Sequence, residues 1–136
     1  MRTRYLHDTV CNITRRACIV LACAGALAGC EAARAPMRVP GGDVQQGLRL
    51  VTQYQCGACH AIPGVQGADG KSPDAGPGLE HIGRLSYIAG GIPNQPQNMV
   101  RWLRVPHALK PGTDMPPMGL TEQEARHMAA FLYTLR

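Results

Sequence analysis

Cys56-Gly57-Ala58-Cys59-His60 decides how this chain is read. Two cysteines two residues apart, with a histidine directly after them, form the pattern for covalent attachment of a c-type haem. Each thiol adds across one vinyl group of the porphyrin to give a thioether, and the imidazole lies under the iron as the proximal nitrogen ligand. Two intervening residues let the chain turn once, so both sulfurs reach one edge of the same ring. The pentapeptide nominates Cys56 and Cys59 for attachment and His60 for the iron.

Two other chemistries use a Cys-x-x-Cys pair. A zinc site of that kind wants a second Cys/His pair at a suitable spacing. None follows, and after Cys59 the chain has no further cysteine. A thiol redox site is expected beside a βαβ pattern, whereas this region is rich in glycine and proline with few β-branched runs. One covalent haem c is the cofactor that the residues favour.

The first 29 residues read as a leader. Arg2, Arg4, Arg15 and Arg16 make a basic start, and residues 17–29 form a short apolar stretch of Ala, Leu and other small residues. That stretch suits a signal peptide and is too short to span a bilayer comfortably. It ends in Leu27-Ala28-Gly29-Cys30, which resembles the lipobox of bacterial lipoproteins, with Cys30 as the lipidated mature N-terminus. An ordinary secretory cut nearby, or an uncleaved anchor, is the competing reading. Cys11, Cys18 and Cys23 would leave with the leader. Cys30 then takes lipid, Cys56 and Cys59 take haem, and no thiol is left for a disulfide. The expected location is the periplasmic side of a bacterial membrane.

Processing also changes the charge. The full chain carries a formal +5; losing four arginines and Asp8 leaves +2. The haem propionates bring that near neutrality, so the basicity does not speak for nucleic-acid binding. Lys71 and Lys110 are the only lysines, and no lysine ring for docking an acidic partner is evident.

Residues 30–42 read as a flexible tether, and 43–136 as one small all-α domain. Asp43 is the expected N-cap of a first helix ending near Tyr54, with Val44, Leu48 and Val51 on its apolar face. Residues 61–78, with repeated glycines and prolines, should be irregular loop. Short helices are expected over 85–89 and 96–104, the second presenting Met99, Trp102 and Leu103 and ended by Pro106. Thr121 and Glu124 form a capping box for a last helix reaching about Leu135, with Ala125, Met128, Ala129, Leu132 and Leu135 buried. Four to five helices with long loops would thus wrap one haem. One Phe, one Trp and four Tyr make a thin core, so a rigid prosthetic group is expected to supply part of it.

The iron's sixth position falls to Met115, in Pro111-Gly112-Thr113-Asp114-Met115-Pro116-Pro117-Met118. Prolines on both sides stiffen this segment and present the thioether from a loop. Met118 is the main rival, and methionines also serve as core fillers. His81, His107 and His127 are weaker candidates, His127 because it falls on a helix and His107 because it adjoins Pro106 in an expected surface turn.

From Asp43 to Arg136 the chain resembles a class I (mitochondrial-type) cytochrome c. The matching pieces are Gly47, the Cys56 to His60 pentapeptide, Gly76-Pro77-Gly78-Leu79, the Trp102 to Pro106 helix end, Pro111-Gly112-Thr113-x-Met115-Pro116, and Phe131-Leu132. A particular likeness, to the cytochrome c domain fused to subunit II of some haem-copper oxidases, rests on three further stretches. They are Gly76-Pro77-x-Leu79-x-x-Ile82-Gly83-Arg84, Ile88-Ala89-Gly90-Gly91 and Asn94-x-Pro96.

The resemblance implies that the first and last helices cross, with Gly47 against Met128 and Phe131. It implies that the Pro77 carbonyl accepts the His60 ring N–H, that Trp102 lies on the methionine side of the haem, and that Arg84 faces a propionate. Val51 stands where the family often has an aromatic residue, and Tyr54 is the expected substitute. The copper-binding and membrane-spanning parts of such a subunit are not expected within these 136 residues.

The expected activity is one-electron transfer without catalysis, since no acid/base pair, nucleophile motif or phosphate loop accompanies the haem pattern. Expected partners are a quinol-oxidising complex, a terminal oxidase or a dehydrogenase. A fixed subunit of such a complex, a haem sensor or enzyme with a labile sixth ligand, and a haem-free thiol or metal lipoprotein are the alternatives.

Overall fold

The computed structural model describes residues 36–67 and 76–136. The expected leader, Cys30, the first half of the tether and the middle of the glycine-rich loop lie outside the described residues.

Helix α1 covers Val44–Gln53, capped by the Asp43 carboxylate, which accepts the Gln46 N–H at 2.7 Å. Helix α2 covers Pro96–Arg104, α3 Pro106–Leu109 and α4 Glu122–Leu132. Single 3₁₀ turns lie at Cys56–Ala58 and Ile82–Arg84. With four α-helices among the described residues and a two-residue hairpin, the architecture is the small all-α fold expected.

Three local expectations need correction. No helix forms over 85–89; Tyr87–Ile88 pairs antiparallel with Ile92–Pro93 instead. Ala89 and Gly90 adopt φ of 49° and 88°, and successive left-handed residues close a hairpin rather than continue a helix. Pro106 does not simply end α2. Val105 breaks the helix, and Pro106 starts α3, where its missing N–H costs nothing. His107 therefore sits on a short helix. The last helix stops at Leu132, although Leu135 is buried as expected.

The core lies where α1, α2 and α4 meet. Val51 comes from α1; Met99, Val100 and Leu103 from α2; Ala125, Met128, Ala129 and Leu132 from α4. Val44, expected on the apolar face, stays 38% exposed. Gly47 makes the crossing possible. A Cβ there would fall on the His127 carbonyl and stand 2.8 Å from the Phe131 Cβ. Phe131 is where the resemblance put it, and the His127 backbone comes closer still. Two bonds tie the helices: Asp43 N–H donates to His127 Nδ1 at 2.9 Å, and the Tyr54 hydroxyl donates to Glu124 at 3.0 Å.

At the start of α4, Thr121 and Glu124 form the reciprocal box. The Thr121 hydroxyl accepts from Glu124 N–H, and the Glu124 carboxylate accepts from Thr121 N–H at 2.9 Å. The Thr121 and Tyr54 hydroxyls and the Thr121 N–H hold the Glu124 carboxyl below its ordinary value. A depressed carboxyl contributes stability above its unfolded pKa and loses it as pH falls through the folded value. Urea midpoints should therefore hold steady above about pH 5 and fall toward about pH 3, and Glu124→Gln should flatten part of that fall.

Candidate functional site

Helix α1 ends abruptly because Gln55 takes a left-handed conformation, φ 54°. That costs a non-glycine residue about 1–2 kcal/mol, and it turns the chain straight into the 3₁₀ turn at Cys56–Ala58. Cys59 and His60 N–H both reach back to the Cys56 carbonyl, at 3.3 and 3.0 Å. One turn of chain thus carries both thiols, neither in a disulfide. Cys56 is half-buried, and burial pushes its thiol up, helped by the neighbouring Cys59 and opposed by a backbone hydrogen bond.

His60 Nδ1 lies 2.7 Å from the Pro77 carbonyl. A carbonyl only accepts, so Nδ1 is the donor in this bond, and Nε2 is the nitrogen left for a metal. The segment bearing Pro77 is pinned to the motif next door, since Leu79 N–H donates to the Ala61 carbonyl at 2.9 Å. Gly76 closes on the ring itself. A Cβ there would stand 2.6 Å from Nδ1 and 2.9 Å from Nε2. The imidazole is held between a glycine face and a proline carbonyl.

Reasoning from sequence gave Gly76 no role of its own; the Gly-Pro pair beside a ligand histidine was the available signal. Gly76→Ala should push the ring off its bond to Pro77, at about 1–3 kcal/mol of overpacking. Partial loss of the low-spin ferric electron paramagnetic resonance signal, with helix content unchanged, is the expected reading.

The other candidates lie on three further segments of the chain. Met115 and Met118 are both half-buried against the core, in a segment without helix or strand. Met115 N–H donates to the Thr113 hydroxyl at 3.3 Å. Trp102 is half-buried on α2, and Arg84 is exposed on the second 3₁₀ turn. Half-buried Leu48, Leu50, Tyr54, Val65, Leu79 and Ile92 also rest against the core. Cys56, Trp102, Met115 and Met118 all rest against this one core, and thiols, an imidazole and thioethers are a donor set that fits a covalently held haem. Among the described residues no three His, Cys, Asp or Glu side chains gather as a zinc site requires.

A family model for cytochrome c matches residues 44–136, from the first residue of α1 to the last of the chain. The chain belongs to the cytochrome c family. A domain of that family holds haem c and carries electrons. This cytochrome is similar to cytochrome c oxidase subunit 2 of Alkalihalophilus pseudofirmus, 32% identical over 92 residues, which cover 67% of this chain and 25% of the relative. Subunit 2 from Bacillus sp. (strain PS3) is 30% identical over 83 residues, covering 60% and 23%. The cytochrome thus spans about a quarter of the length of these curated relatives.

Proposed function

We propose that this cytochrome is a lipid-anchored, mono-haem one-electron carrier of a respiratory chain, with His60 and Met115 as axial ligands. The bond from His60 Nδ1 to the Pro77 carbonyl carries the reading. It fixes the tautomer, orients the ring and raises its donor strength. Bound haem c supplies one-electron Fe(II)/Fe(III) cycling. Cys56 and Cys59 hold it in place, and Gly76 and Pro77 hold the imidazole. Met115 offers a neutral thioether, which favours the ferrous state relative to a second histidine. Arg84 and Trp102 are proposed to face a propionate and the methionine side.

Met115→Ala should abolish the far-red Met–Fe band of the oxidised protein and open the iron to carbon monoxide, whereas Met118→Ala should leave both properties as they are. The reverse pattern would transfer the ligand role to Met118. For the anchor, Cys30→Ser should abolish metabolic labelling by palmitate; persistent labelling would move the lipid elsewhere.

A second reading is favoured by the likeness to oxidase subunits: a fixed haem subunit of a membrane oxidase or dehydrogenase complex. Comigration with such a complex after mild detergent extraction supports it, and migration alone supports the carrier.

A further inference from the structure

The proposed carrier function leaves unused a groove between α2, the start of α4 and the chain leading into α1. Arg101, Arg104 and Arg126 line it with Glu122, Val39 and Pro40. Arg101 and Arg104 lie one turn apart on α2, so their guanidinium groups share a face. Arg126 donates to the Pro40 carbonyl at 3.1 Å and pairs with Glu122, which Arg104 also approaches at 3.5 Å. Those two arginines hold the Glu122 carboxyl below its ordinary value, so it stays ionised. One carboxylate against three arginines leaves the groove positive. Arg101 is exposed, and its side chain enters none of the ion pairs that tie Arg104 and Arg126 to Glu122. Arg38, exposed beside Val39, adds a fourth cation.

This gathering is uneven. The described residues hold seven arginines and Lys110 as cations, and three of these eight line one groove. None of the groove residues belongs to the thiol turn, the Gly76–Pro77 segment or the Met115 loop.

We infer that this groove seats the domain on an anionic bilayer surface and turns the haem-attachment end away from it. The inference rests on the proposed lipid at Cys30, which decides between a membrane and other acidic partners. From Cys30 to Pro36 there are six steps of chain, at most about 20 Å fully extended. The groove begins three residues later, at Val39. A short tether therefore keeps these arginines within reach of the headgroups, where each basic residue near an anionic surface improves binding about five-fold.

Helix α1 then sets the orientation. Its N-terminus adjoins Gly41, which accepts a hydrogen bond from Gln123 beside the groove, and its C-terminus leads into Cys56. Ten residues of helix separate the two ends by about 15 Å. The groove faces the lipid, and the thiol turn faces whatever exchanges electrons.

Arginine-directed labelling with phenylglyoxal tests this on the intact, processed holoprotein. The protein is reconstituted into vesicles of pure phosphatidylcholine or of phosphatidylcholine with about a third phosphatidylglycerol. Labelling at Arg101 and Arg104, read by mass spectrometry, should slow at least five-fold on the anionic vesicles. Arg49, exposed on α1 and outside the groove, should label at the same rate on both. The difference should vanish at about 0.5 M salt, where charge is screened within a few ångströms. Equal labelling of Arg101 and Arg104 on both vesicles would overturn the inference, as would equal slowing at Arg49. Retention on phosphatidylcholine reports the anchor separately. If the protein leaves those vesicles yet Arg101 and Arg104 are still shielded on the anionic ones, the lipid at Cys30 fails and the groove stands.

Discussion

The double variant Cys56→Ala/Cys59→Ala, exported without covalent haem, is expected to be largely unfolded. The reason lies in what the polypeptide can bury by itself. Its fully buried large side chains are few, led by Tyr133, Met99 and Met128, and α4 contributes Ala125, Ala129 and Ala130 to the same core. Ten half-buried residues, from Leu48 to Met118, pack against that core and keep apolar surface that a haem would cover. A haem brings several hundred Å² of apolar surface, on the order of ten kcal/mol at 25 cal/mol/Å². Domains of this size are stable by only about 5–15 kcal/mol, so losing the haem removes most or all of the margin. Far-ultraviolet circular dichroism of the variant should show little helix, and limited proteolysis should degrade it rapidly. A native-like helical spectrum would refute the dependence.

The second large effect is expected at Asn94. This side chain is buried, at 5% exposure, and joins three parts of the chain. Its amide donates to the carbonyls of Ile82 at 2.7 Å and Leu85 at 2.8 Å, the two ends of the turn that carries Arg84. Its carbonyl accepts the Tyr133 hydroxyl at 2.9 Å. Asn94→Leu leaves the Tyr133 hydroxyl buried without a partner, at about 1–3 kcal/mol, and removes one hydrogen bond from each of the two carbonyls, at about 1 kcal/mol apiece. A loss of about 3–5 kcal/mol is expected in denaturant unfolding of the holoprotein. Tyr133→Phe should cost about 1 kcal/mol, and in the Asn94→Leu background it should cost little, because its partner is already gone.

Alkali probes the same cluster. Burial pushes the Tyr133 phenol up to about 12. A raised phenol contributes stability in full below the unfolded value of about 10 and loses it as pH rises through the folded value. The loss between those limits should be absent in Tyr133→Phe.

Residues whose chemistry acts locally were legible. Asp43 caps α1, Thr121 and Glu124 cap α4, and α2 runs from Pro96 to Arg104 as expected. Each is a rule about neighbours in the chain. The hairpin at Tyr87–Pro93 was missed because Ala89 adopts a left-handed conformation that alanine does not advertise. The contacts of Gly76 with the His60 ring and of Gly47 with the His127 carbonyl are facts about backbones far apart in sequence. Asn94 stood in a recognised Asn-x-Pro stretch, yet its work is done by three partners 9 to 39 residues away. The pentapeptide announced the site and the resemblance implied the Pro77 carbonyl, but the glycine face against the histidine needed the folded chain.

One optical experiment bears most directly on the central claim that Cys56, Cys59, His60 and Met115 hold a closed, electron-transferring haem. The holoprotein is taken from the ferric to the ferrous state, exposed to carbon monoxide, and then extracted with acidified acetone. The expected result is a c-type α-band on reduction, a far-red Met–Fe band when oxidised, no rapid carbon monoxide adduct, and haem that stays with the polypeptide. Haem released into the acetone phase, or a carbon monoxide adduct formed on mixing, would contradict it.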